Sequence, residues 1–345
     1  MLKQFIAGAF CAMIAATAGA QTPATGHNCP NCKDGKTCVD KGTAAHTCGQ
    51  PAKVYFTKDI SPEGLLKAFH ALGVKPEGRV AVKISTGESK ESNQLSPQLI
   101  APLVNEVKGT IVECNTAYPG NRNTTEKHWK TIKEHGYLDI ANVDIMDAEG
   151  NMNIPVRDTT WIKYDIVGKH LANYDFLINL AHFKGHQMGG FGGVLKNQSI
   201  GVASADGKSY IHTAGHHKTV EEGPWENPHG QDAFIESMAA AAQAVHDFFK
   251  GKAVYINVMN NMSIDCDCNG HPAKPLLKDM GIMISLDPVA LDKAATDMVF
   301  SHESAPGDDS QPLINRIKQM HGLHIIDHAA KIGLGTTDYE LINID

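Results

Sequence analysis

The sequence has no surplus of positive charge and few long apolar runs. Its 31 lysines and arginines are outnumbered by 38 aspartates and glutamates, which gives a formal net charge of −7. Partners such as nucleic acid or an anionic membrane surface require a basic face, so this balance argues against both. After the first 20 residues no apolar stretch approaches the length of a membrane span, so we expect none in the mature chain.

Two further absences concern cofactors and nucleotides. There is no cysteine between Cys114 and Cys266, so that stretch holds no cysteine cluster. The Gly-x4-Gly-Lys-Ser/Thr order of a P-loop is also missing, which excludes that type of phosphate site.

Residues 1–20 have the features of a secretory signal peptide. Lys3 supplies a positive charge, Phe5 to Ala16 an apolar stretch, and Ala18-Gly-Ala20 a small-residue cleavage site. We expect the mature protein to begin near Gln21 and to be periplasmic or extracellular. A leader without a twin-arginine pair implies export of the unfolded chain. Such export favours a divalent metal ion or a diffusible ligand over an iron–sulfur cluster.

Residues 21–52 form a polar, cysteine-rich appendix with almost no large apolar side chain. It contains Cys29, Cys32, Cys38 and Cys48, four of the seven cysteines that remain after cleavage of the leader. Two disulfides, a zinc or iron–sulfur site, and a disordered segment with free thiols all fit this pattern. Three disulfide connectivities are possible, and the sequence does not choose among them.

Residues 53–345 alternate short β-branched runs with amphipathic ones, which predicts one α/β body with a mostly parallel sheet and helices on both faces. Residues 143–166 are expected to form irregular strands with a break at Pro155. The predicted strands are Val54–Thr57, Val80–Ser85, Thr110–Asn115, Phe176–Phe183, Val254–Met259, Gly281–Leu286 and Tyr339–Ile344. The predicted helices are Ser61–Leu72, Pro97–Val107, Thr125–His135, Asp232–Phe249, Pro288–Phe300 and Ile325–Ile332.

A glycine-rich segment with histidines and lysines follows the predicted strand at residues 176–183. Ligands of open α/β sheets bind in the loops beyond the carboxyl ends of the strands, so a site is expected here. Backbone amides of such a loop can bind an anion, more so if a helix begins near Gly193. The expected catalytic residues are His186, Lys196 and His212. The expected ligand-binding residues are Lys184, Gly189, Gly190, Gly192, Gly193 and Asn197, with Lys83 and Asn115 at other strand ends.

A second cluster, Asp265-Cys-Asp-Cys268, follows the predicted strand at residues 254–259. Two thiols separated by one residue form a strained disulfide and suit a soft metal ion, so we expect them to be reduced or metal-bound. A surface turn with free or intermolecularly oxidised thiols is the alternative. The predicted metal ligands are His182, His186, His212, Cys266, Cys268 and Asp265.

These segments carry a family resemblance. His182-Phe-Lys-Gly-His186, Gly189-Gly-Phe-Gly-Gly193, Asp265-Cys-Asp-Cys268 and Asp287-Pro-Val-Ala-Leu-Asp292 resemble the uncharacterised iron–sulfur centre proteins, the domain of unknown function 362. Many members carry a ferredoxin-like insert between the glycine-rich loop and the Asp-Cys-Asp-Cys segment. The insert is absent here, so the family's cluster is not carried over.

A more distant similarity is to the nickel-pincer lactate racemase family. In that family a histidine, a glycine-rich turn, a cofactor-bearing lysine and a later histidine follow one another. His186, Lys196 and His212 have a comparable order and spacing. The earlier catalytic histidine of that family has no convincing counterpart near Asn115 to Arg122. Shared ancestry is therefore the expectation, and shared activity is not.

Two functions remain open from the sequence. One is an exported protein, an enzyme among the possibilities, whose His/Lys site binds a metal ion, a small anionic ligand or both. The other is a non-catalytic metal or metabolite binding protein, or an iron–sulfur redox protein as the family name suggests. The cofactor is unknown, with a divalent metal ion favoured over an iron–sulfur cluster, and the sequence does not give the oligomeric state.

Overall fold

A computed structural model describes residues 50–223 and 225–345, so the predicted signal peptide and residues 21–49 of the appendix lie outside it. The strands are β1 (Ala52–Thr57), β2 (Val80–Lys83), β3 (Thr110–Glu113), β4 (Val143–Ile145), β5 (Asn151–Pro155), β6 (Tyr164–Gly168), β7 (Phe176–His182), β8 (Lys184–His186), β9 (Gly190–Gly192), β10 (Ala253–Met259), β11 (Gly281–Ser285) and β12 (Tyr339–Asn343). The helices are α1 (Pro62–Ala71), α2 (Pro97–Glu106), α3 (Thr125–Glu134), α4 (Val194–Val202), α5 (Ala205–His212), α6 (Gln231–Phe248), α7 (Pro288–Ser301), α8 (Gln311–Gln319) and α9 (His324–Lys331).

Eight of the described strands form one sheet in the order β12-β1-β11-β10-β7-β2-β3-β4. β11 runs antiparallel to both of its neighbours, and the other adjacent pairs are parallel. β5 pairs with β6, and β8 pairs with β9, in two small antiparallel sheets. The prediction of a mostly parallel α/β sheet is therefore confirmed.

The helices begin where the sequence places capping residues. The side chain of Ser61 accepts a hydrogen bond from the amide of Gly64, and Pro62 is the first residue of α1. Ser96 and Thr124 cap α2 and α3 in the same way. These short side chains satisfy amides that have no partner inside the helix, which fixes each helix start.

The central strands are buried on both faces. Every residue of β7 and β10 is buried, which is typical of parallel strands that carry helices on both sides. One core contains Leu65 of α1 and Leu103 of α2, and the core on the other face contains Leu195 of α4, Val245 of α6 and further residues of α7 and α9. Helices on both faces were predicted, and the two cores confirm them.

The structure refines or corrects the prediction in three places. Residues 143–166 contain short strands with a break after Pro155, as predicted, but the strands are regular: β4 joins the main sheet, and Pro155 is the last residue of β5. A proline at the end of an edge strand removes no ladder hydrogen bond from a central strand. The sequence prediction also missed α5 and α8. Gly207 weakens the helical pattern of the sequence, so α5 was not predicted. A Cβ at this position would lie 1.9 Å from the carbonyl oxygen of Ile166, so close packing requires glycine here.

Within residues 50–223 and 225–345, no helix is long and apolar enough to span a bilayer.

Candidate functional site

A cavity of about 310 Å³ lies where the carboxyl ends of β2, β3 and β7 meet. Lys83 and Glu113, the last residues of β2 and β3, line it. The β8–β9 hairpin follows β7 and lines it from a second side, and the loop after β10 supplies Cys266, Asp267 and Cys268. The glycine-rich segment and the Asp-Cys-Asp-Cys segment therefore meet at one cavity.

The glycines of the hairpin serve close packing as well as the cavity. A Cβ on Gly185 would lie 2.3 Å from the carbonyl oxygen of Ile264, and Gly190 has a φ of +80° against the backbone of Gly322. Such positions favour glycine. Gly192 and Gly193 line the cavity, whereas Gly189 and Gly190 do not. The expected ligand role of Gly189 and Gly190 is thus replaced by a structural one.

The start of helix α4 already binds a carboxylate. Asp292 of α7 accepts hydrogen bonds from the amides of Val194 at 3.0 Å and Leu195 at 2.9 Å, and from the side-chain amide of Asn257 at 2.8 Å. Burial outweighs these donors and raises the pKa of Asp292 to about 6. The sequence predicted an anion site at this helix start, and a side chain of the protein itself occupies it.

Lys196 lies in the first turn of α4 and lines the cavity. Within the described residues its amine forms no hydrogen bond and no ion pair. Burial lowers the pKa of Lys196 to about 7, and the charge of Lys184 lowers it further, against the opposing effect of Asp267. A large fraction of this amine is therefore uncharged at neutral pH.

His212 ends helix α5 and lines the same cavity. Its Nδ1 lies 2.6 Å from the carbonyl oxygen of Lys208, and its ring stacks between Trp225 at 4.2 Å and Phe234 at 4.7 Å between centroids. Since a carbonyl only accepts, Nδ1 carries the proton and Nε2 keeps a lone pair. Burial lowers the pKa of His212 to about 3, so the ring is neutral.

His186 is held in the opposite tautomer. Its Nδ1 accepts hydrogen bonds from the amides of Gly189 at 2.8 Å and Met188 at 3.3 Å. Because Nδ1 is the acceptor, Nε2 of the neutral ring carries the proton. Burial lowers the pKa of His186 well below its usual range, and Lys196 lowers it further. His186 is therefore a neutral donor in the cavity wall.

His182 supports the cavity from behind and does not line it. Its Nδ1 lies 2.8 Å from Oδ1 of Asp267, and its Nε2 lies 2.6 Å from the carbonyl oxygen of Asn260. Lys184 forms an ion pair with the other oxygen of Asp267 at 2.8 Å. Burial alone would raise the pKa of Asp267, but His182 and Lys184 hold it well below its usual range. With both ring nitrogens engaged, His182 is not free to bind a metal as the sequence suggested.

The wall formed by β2 and β3 is a buried ion network. Glu113 pairs with Nζ of Lys83 at 2.7 Å and with Nη1 of Arg122 at 3.2 Å, and Arg122 also pairs with Glu88 at 3.2 Å. Burial would raise the pKa of Glu113, yet Lys83 and Arg122 lower it to about 2. Asn197 donates to the carbonyl of Lys83 and so fixes α4 against this wall.

Two other expected site residues do not line the cavity. The side chain of Asn115 contacts His128 and Thr125. Asp265 accepts a hydrogen bond from the amide of Ala273 and pairs with Arg316 at 3.8 Å. Both side chains are therefore engaged by other parts of the protein. The expected ligand role of Asn115 and the expected metal role of Asp265 are not supported by this placement.

The two cysteines of the Asp-Cys-Asp-Cys segment line the cavity. Cys266 and Cys268 are joined by a disulfide, which differs from the expected pair of reduced or metal-bound thiols. Their sulfur atoms and one ring nitrogen of His186 lie within 4.8 Å of one another. Within the part of the chain that the structure describes, Cys114 is the cysteine outside a disulfide. It is buried, and burial raises the pKa of its thiol well above the usual range.

Some residues of the cavity had not been expected from the sequence. Lys208 precedes His212 by one turn of α5, so the two side chains lie on the same face of the helix. This relation can be recognised only once α5 is known to be a helix. Arg122 and Trp225 lie in segments without a regular pattern, so no sequence signal pointed to them. The residues that line the cavity but were not predicted as site residues include Glu113, Arg122, Lys208, Trp225 and Asp267.

Comparisons with known proteins identify a family and distant structural relatives. A family model described as Domain of unknown function (DUF362) matches residues 80–297. The lactate racemase apoprotein from Thermoanaerobacterium thermosaccharolyticum is similar with a TM-score of 0.42 and 13% identity, over 75% of this chain and 60% of that one. A structural-genomics protein from Thermotoga maritima is similar with a TM-score of 0.41 and 12% identity, over 80% of this chain and 59% of that one. The chain thus spans about 60% of the length of these relatives. No curated protein matches it by sequence.

Proposed function

The chain belongs to the family described as Domain of unknown function (DUF362), and because that description names no reaction, we propose one from the cavity. The cavity binds a small organic anion, Lys196 moves a proton on the bound molecule, and His212 accepts a hydrogen bond from it. The observation that carries this proposal is the uncompensated amine of Lys196, with a pKa of about 7, in the cavity wall.

The charge of the cavity wall selects an anion. Five basic side chains line it against two acidic ones, although the chain as a whole is acidic. Glu113 and Asp267 are already paired with Lys83, Arg122 and Lys184, so they leave Lys196 without a counterion. The basic side chains that line the cavity are Lys83, Arg122, Lys184, Lys196 and Lys208. A carboxylate or phosphate on the ligand would supply the missing negative charge.

The same environment prepares Lys196 for proton transfer. A general base works best when its pKa lies close to the working pH, and burial beside other cations is how a lysine reaches that range. A bound anion would raise the pKa of Lys196 and help the amine to accept a proton from the ligand.

The two histidines are suited to opposite hydrogen-bonding roles. His212 presents a lone pair at Nε2, so it accepts a proton or a hydrogen bond. His186 presents a proton at Nε2 and has a pKa well below its usual range, so it donates a hydrogen bond without ionising. A neutral donor of this kind can polarise a ligand oxygen. Lys196 therefore acts as the base, His212 as a hydrogen-bond acceptor for the ligand and His186 as a hydrogen-bond donor.

Metal binding by His186, Cys266 and Cys268 is the second candidate, favoured by the short distances between their ligand atoms. It requires reduction of the disulfide. His186 must also give up its amide hydrogen bonds, because a neutral ring that binds a metal through Nε2 carries its proton on Nδ1. Among residues 50–223 and 225–345 the cysteines do not suit an iron–sulfur cluster, because a cluster takes about four cysteine thiolates. The described residues contain three cysteines, and the thiol of Cys114 donates to the carbonyl of Val202.

The test measures binding and proton transfer separately. A panel of 2-hydroxy acids, 2-keto acids and phosphate monoesters is screened by thermal shift and calorimetry. Ligands that bind are then incubated in deuterated water, and deuterium incorporation at carbon is followed by NMR. We expect binding and exchange by the natural protein. At ligand concentrations below saturation, the exchange rate should rise with pH to a plateau above about pH 7, as the amine of the ligand-free protein loses its proton.

Matched variants decide the outcome. Lys196→Ala should abolish exchange and weaken anion binding. His212→Ala should lower exchange roughly 10-fold, because one hydrogen bond to the ligand is lost. Lys130→Ala removes a surface lysine whose side chain is 76% exposed and should change neither. Anion binding that is unaffected by Lys196→Ala would refute the proposal. Zinc binding that appears on reduction and is lost in Cys266→Ser would favour the second candidate.

A further inference from the structure

A second group of ligating side chains lies outside the cavity, where helix α9 packs against helix α6. Nε2 of His324 lies 3.0 Å from Oε1 of Glu236, and Nδ1 of His328 lies 3.4 Å from the same oxygen. The ligand atoms of all three residues are within 4.8 Å of one another. His324 and His328 are four residues apart on one helix, so both rings project from the same face.

One nitrogen of this group is buried without a hydrogen bond. His328 is 5% exposed, and its Nε2 lies 2.8 Å from Oδ2 of Asp158. Because a carboxylate only accepts, Nε2 carries the proton and the lone pair of the neutral ring is on Nδ1. Nδ1 has no hydrogen-bond partner and faces the carboxylate of Glu236, which is another acceptor. Two acceptors that face each other in a buried place require a cation between them.

We propose that Glu236, His324 and His328 bind a divalent transition metal ion of the zinc type. Two imidazoles and one carboxylate are a common three-residue ligand set for zinc, and water completes the four positions. Asp158 fixes the tautomer of His328 from behind, as carboxylates do for metal-bound histidines. The indole of Trp161 donates to the other oxygen of Glu236 at 2.7 Å. Oε1 lies at hydrogen-bond distance from Nε2 of His324, and both atoms would face the metal once that nitrogen gives up its proton.

The metal site would bring together three segments that are distant in sequence: two supply the ligands, and the third supports them through hydrogen bonds. Glu236 belongs to α6 and the two histidines to α9, while Asp158 and Trp161 come from the connection between β5 and β6. The ion would therefore fix the carboxy-terminal helix α9 to the body of the protein. Metal binding at such a site contributes directly to the stability of the folded state.

Zinc titrations of the metal-stripped protein test the site. Glu236→Gln and His324→Gln each remove one ligand, while His321→Gln removes a nearby exposed histidine that pairs with Asp232 outside the group. We expect one zinc equivalent fewer, or at least about 10-fold weaker binding, in the first two variants and no change in the third. Asp158→Asn should weaken binding by roughly 10–100-fold. Any zinc bound by other cysteines or histidines is common to all variants and cancels in the comparison.

Two further readouts complete the test. Zinc should raise the melting temperature of the natural protein and of His321→Gln, but not that of Glu236→Gln. Cobalt bound in place of zinc should show visible absorption bands that depend on His324. Circular dichroism verifies that each variant is folded, and His324 is exposed enough for its replacement to be tolerated. Equal zinc stoichiometry and equal zinc affinity in the natural protein, Glu236→Gln and His324→Gln would overturn the proposal and leave a proton on His328 as the buried cation.

Discussion

Lys196 is surrounded by other cations, while the nearby carboxylates are paired with different partners. Lys184 forms an ion pair with Asp267, and Lys83 and Arg122 form ion pairs with Glu113. The low pKa of Lys196 therefore results from burial together with the distribution of charge around it.

The first prediction concerns the charge of Lys184. In Lys184→Ala a cation beside Lys196 is lost and Asp267 loses a partner, and both changes favour the charged amine. The pKa of Lys196 should rise from about 7 by roughly one unit. NMR titration of reductively ¹³C-methylated protein measures it, with Lys196→Arg to assign the signal. An unchanged pKa in Lys184→Ala would show that burial alone sets it.

At the residue scale, the buried carboxyl group of Asp165 lowers the stability of the folded protein. Its carboxyl group is fully buried and neither oxygen forms a well-aligned hydrogen bond. Burial raises its pKa to about 8, against the opposing effects of the Ile166 amide and Lys208. The folded protein therefore holds a proton here that the unfolded chain releases at about pH 4.

The second prediction follows from that difference. Between about pH 4 and pH 8 the unfolded state binds fewer protons than the folded state, so Asp165 makes stability fall as pH rises. Asp165→Asn cannot ionise, and its unfolding free energy relative to the natural protein should improve by roughly 2–5 kcal/mol over that interval. Urea unfolding at several pH values measures the difference. Parallel pH profiles for the two proteins would contradict the prediction.

At the scale of elements, the contact between α4 and α7 sets the position of Lys196. Asp292 caps the first amides of α4, and a Cβ on Gly193 would lie 2.3 Å from Oδ1 of Asp292. The backbone of Gly193 is extended, so its conformation would suit any residue. Space for Asp292 is therefore the reason for glycine at this position.

The third prediction compares two adjacent glycines. Gly193→Ala should destabilise the protein by roughly 1–3 kcal/mol, because the new methyl group displaces Asp292 from α4. Gly192→Ala is the matched control: its nearest neighbour would be Cε of Lys184 at 3.5 Å, an ordinary contact. Its stability should change by less than about 0.5 kcal/mol. Thermal unfolding of both variants makes the comparison, and equal losses would show that Asp292 is not the cause.

Considered as a whole molecule, the protein combines an acidic chain with a basic cavity. The formal net charge is −7, yet the basic side chains of the cavity wall outnumber the acidic ones. The proposed binding of a small anion therefore depends on the charge of the cavity wall and not on the charge of the whole chain.

The fourth prediction concerns export. We propose that the leader is removed and that the mature protein begins at Gln21 outside the cytoplasm. Intact mass spectrometry of protein from the periplasmic fraction should show the loss of residues 1–20. Replacing Ala18 and Ala20 with larger residues should block cleavage, whereas changes at Thr22 should not. An uncleaved chain in the cytoplasmic fraction would contradict this proposal.

Sequence patterns alone determined the main architecture and much of the cavity. The helix starts at Ser61, Ser96 and Thr124 and the buried strand β7 depend on neighbouring residues, so their signals are local. The glycine-rich segment was correctly placed after β7 for the same reason. His186, Lys196, His212 and Lys83 were expected together, and the structure brings all four to one cavity. Their chemical roles stay predictions.

Only the tertiary structure decided which side chains were still free to act. His182 is held by Asp267 and Asn260, the start of α4 is filled by Asp292, and each of these contacts joins segments far apart in the sequence. The same holds for His328, whose partners Asp158 and Glu236 come from other elements. A sequence shows which donors and acceptors exist, but hydrogen-bond partners, tautomers and pKa values depend on which groups are packed together and on how much water is excluded.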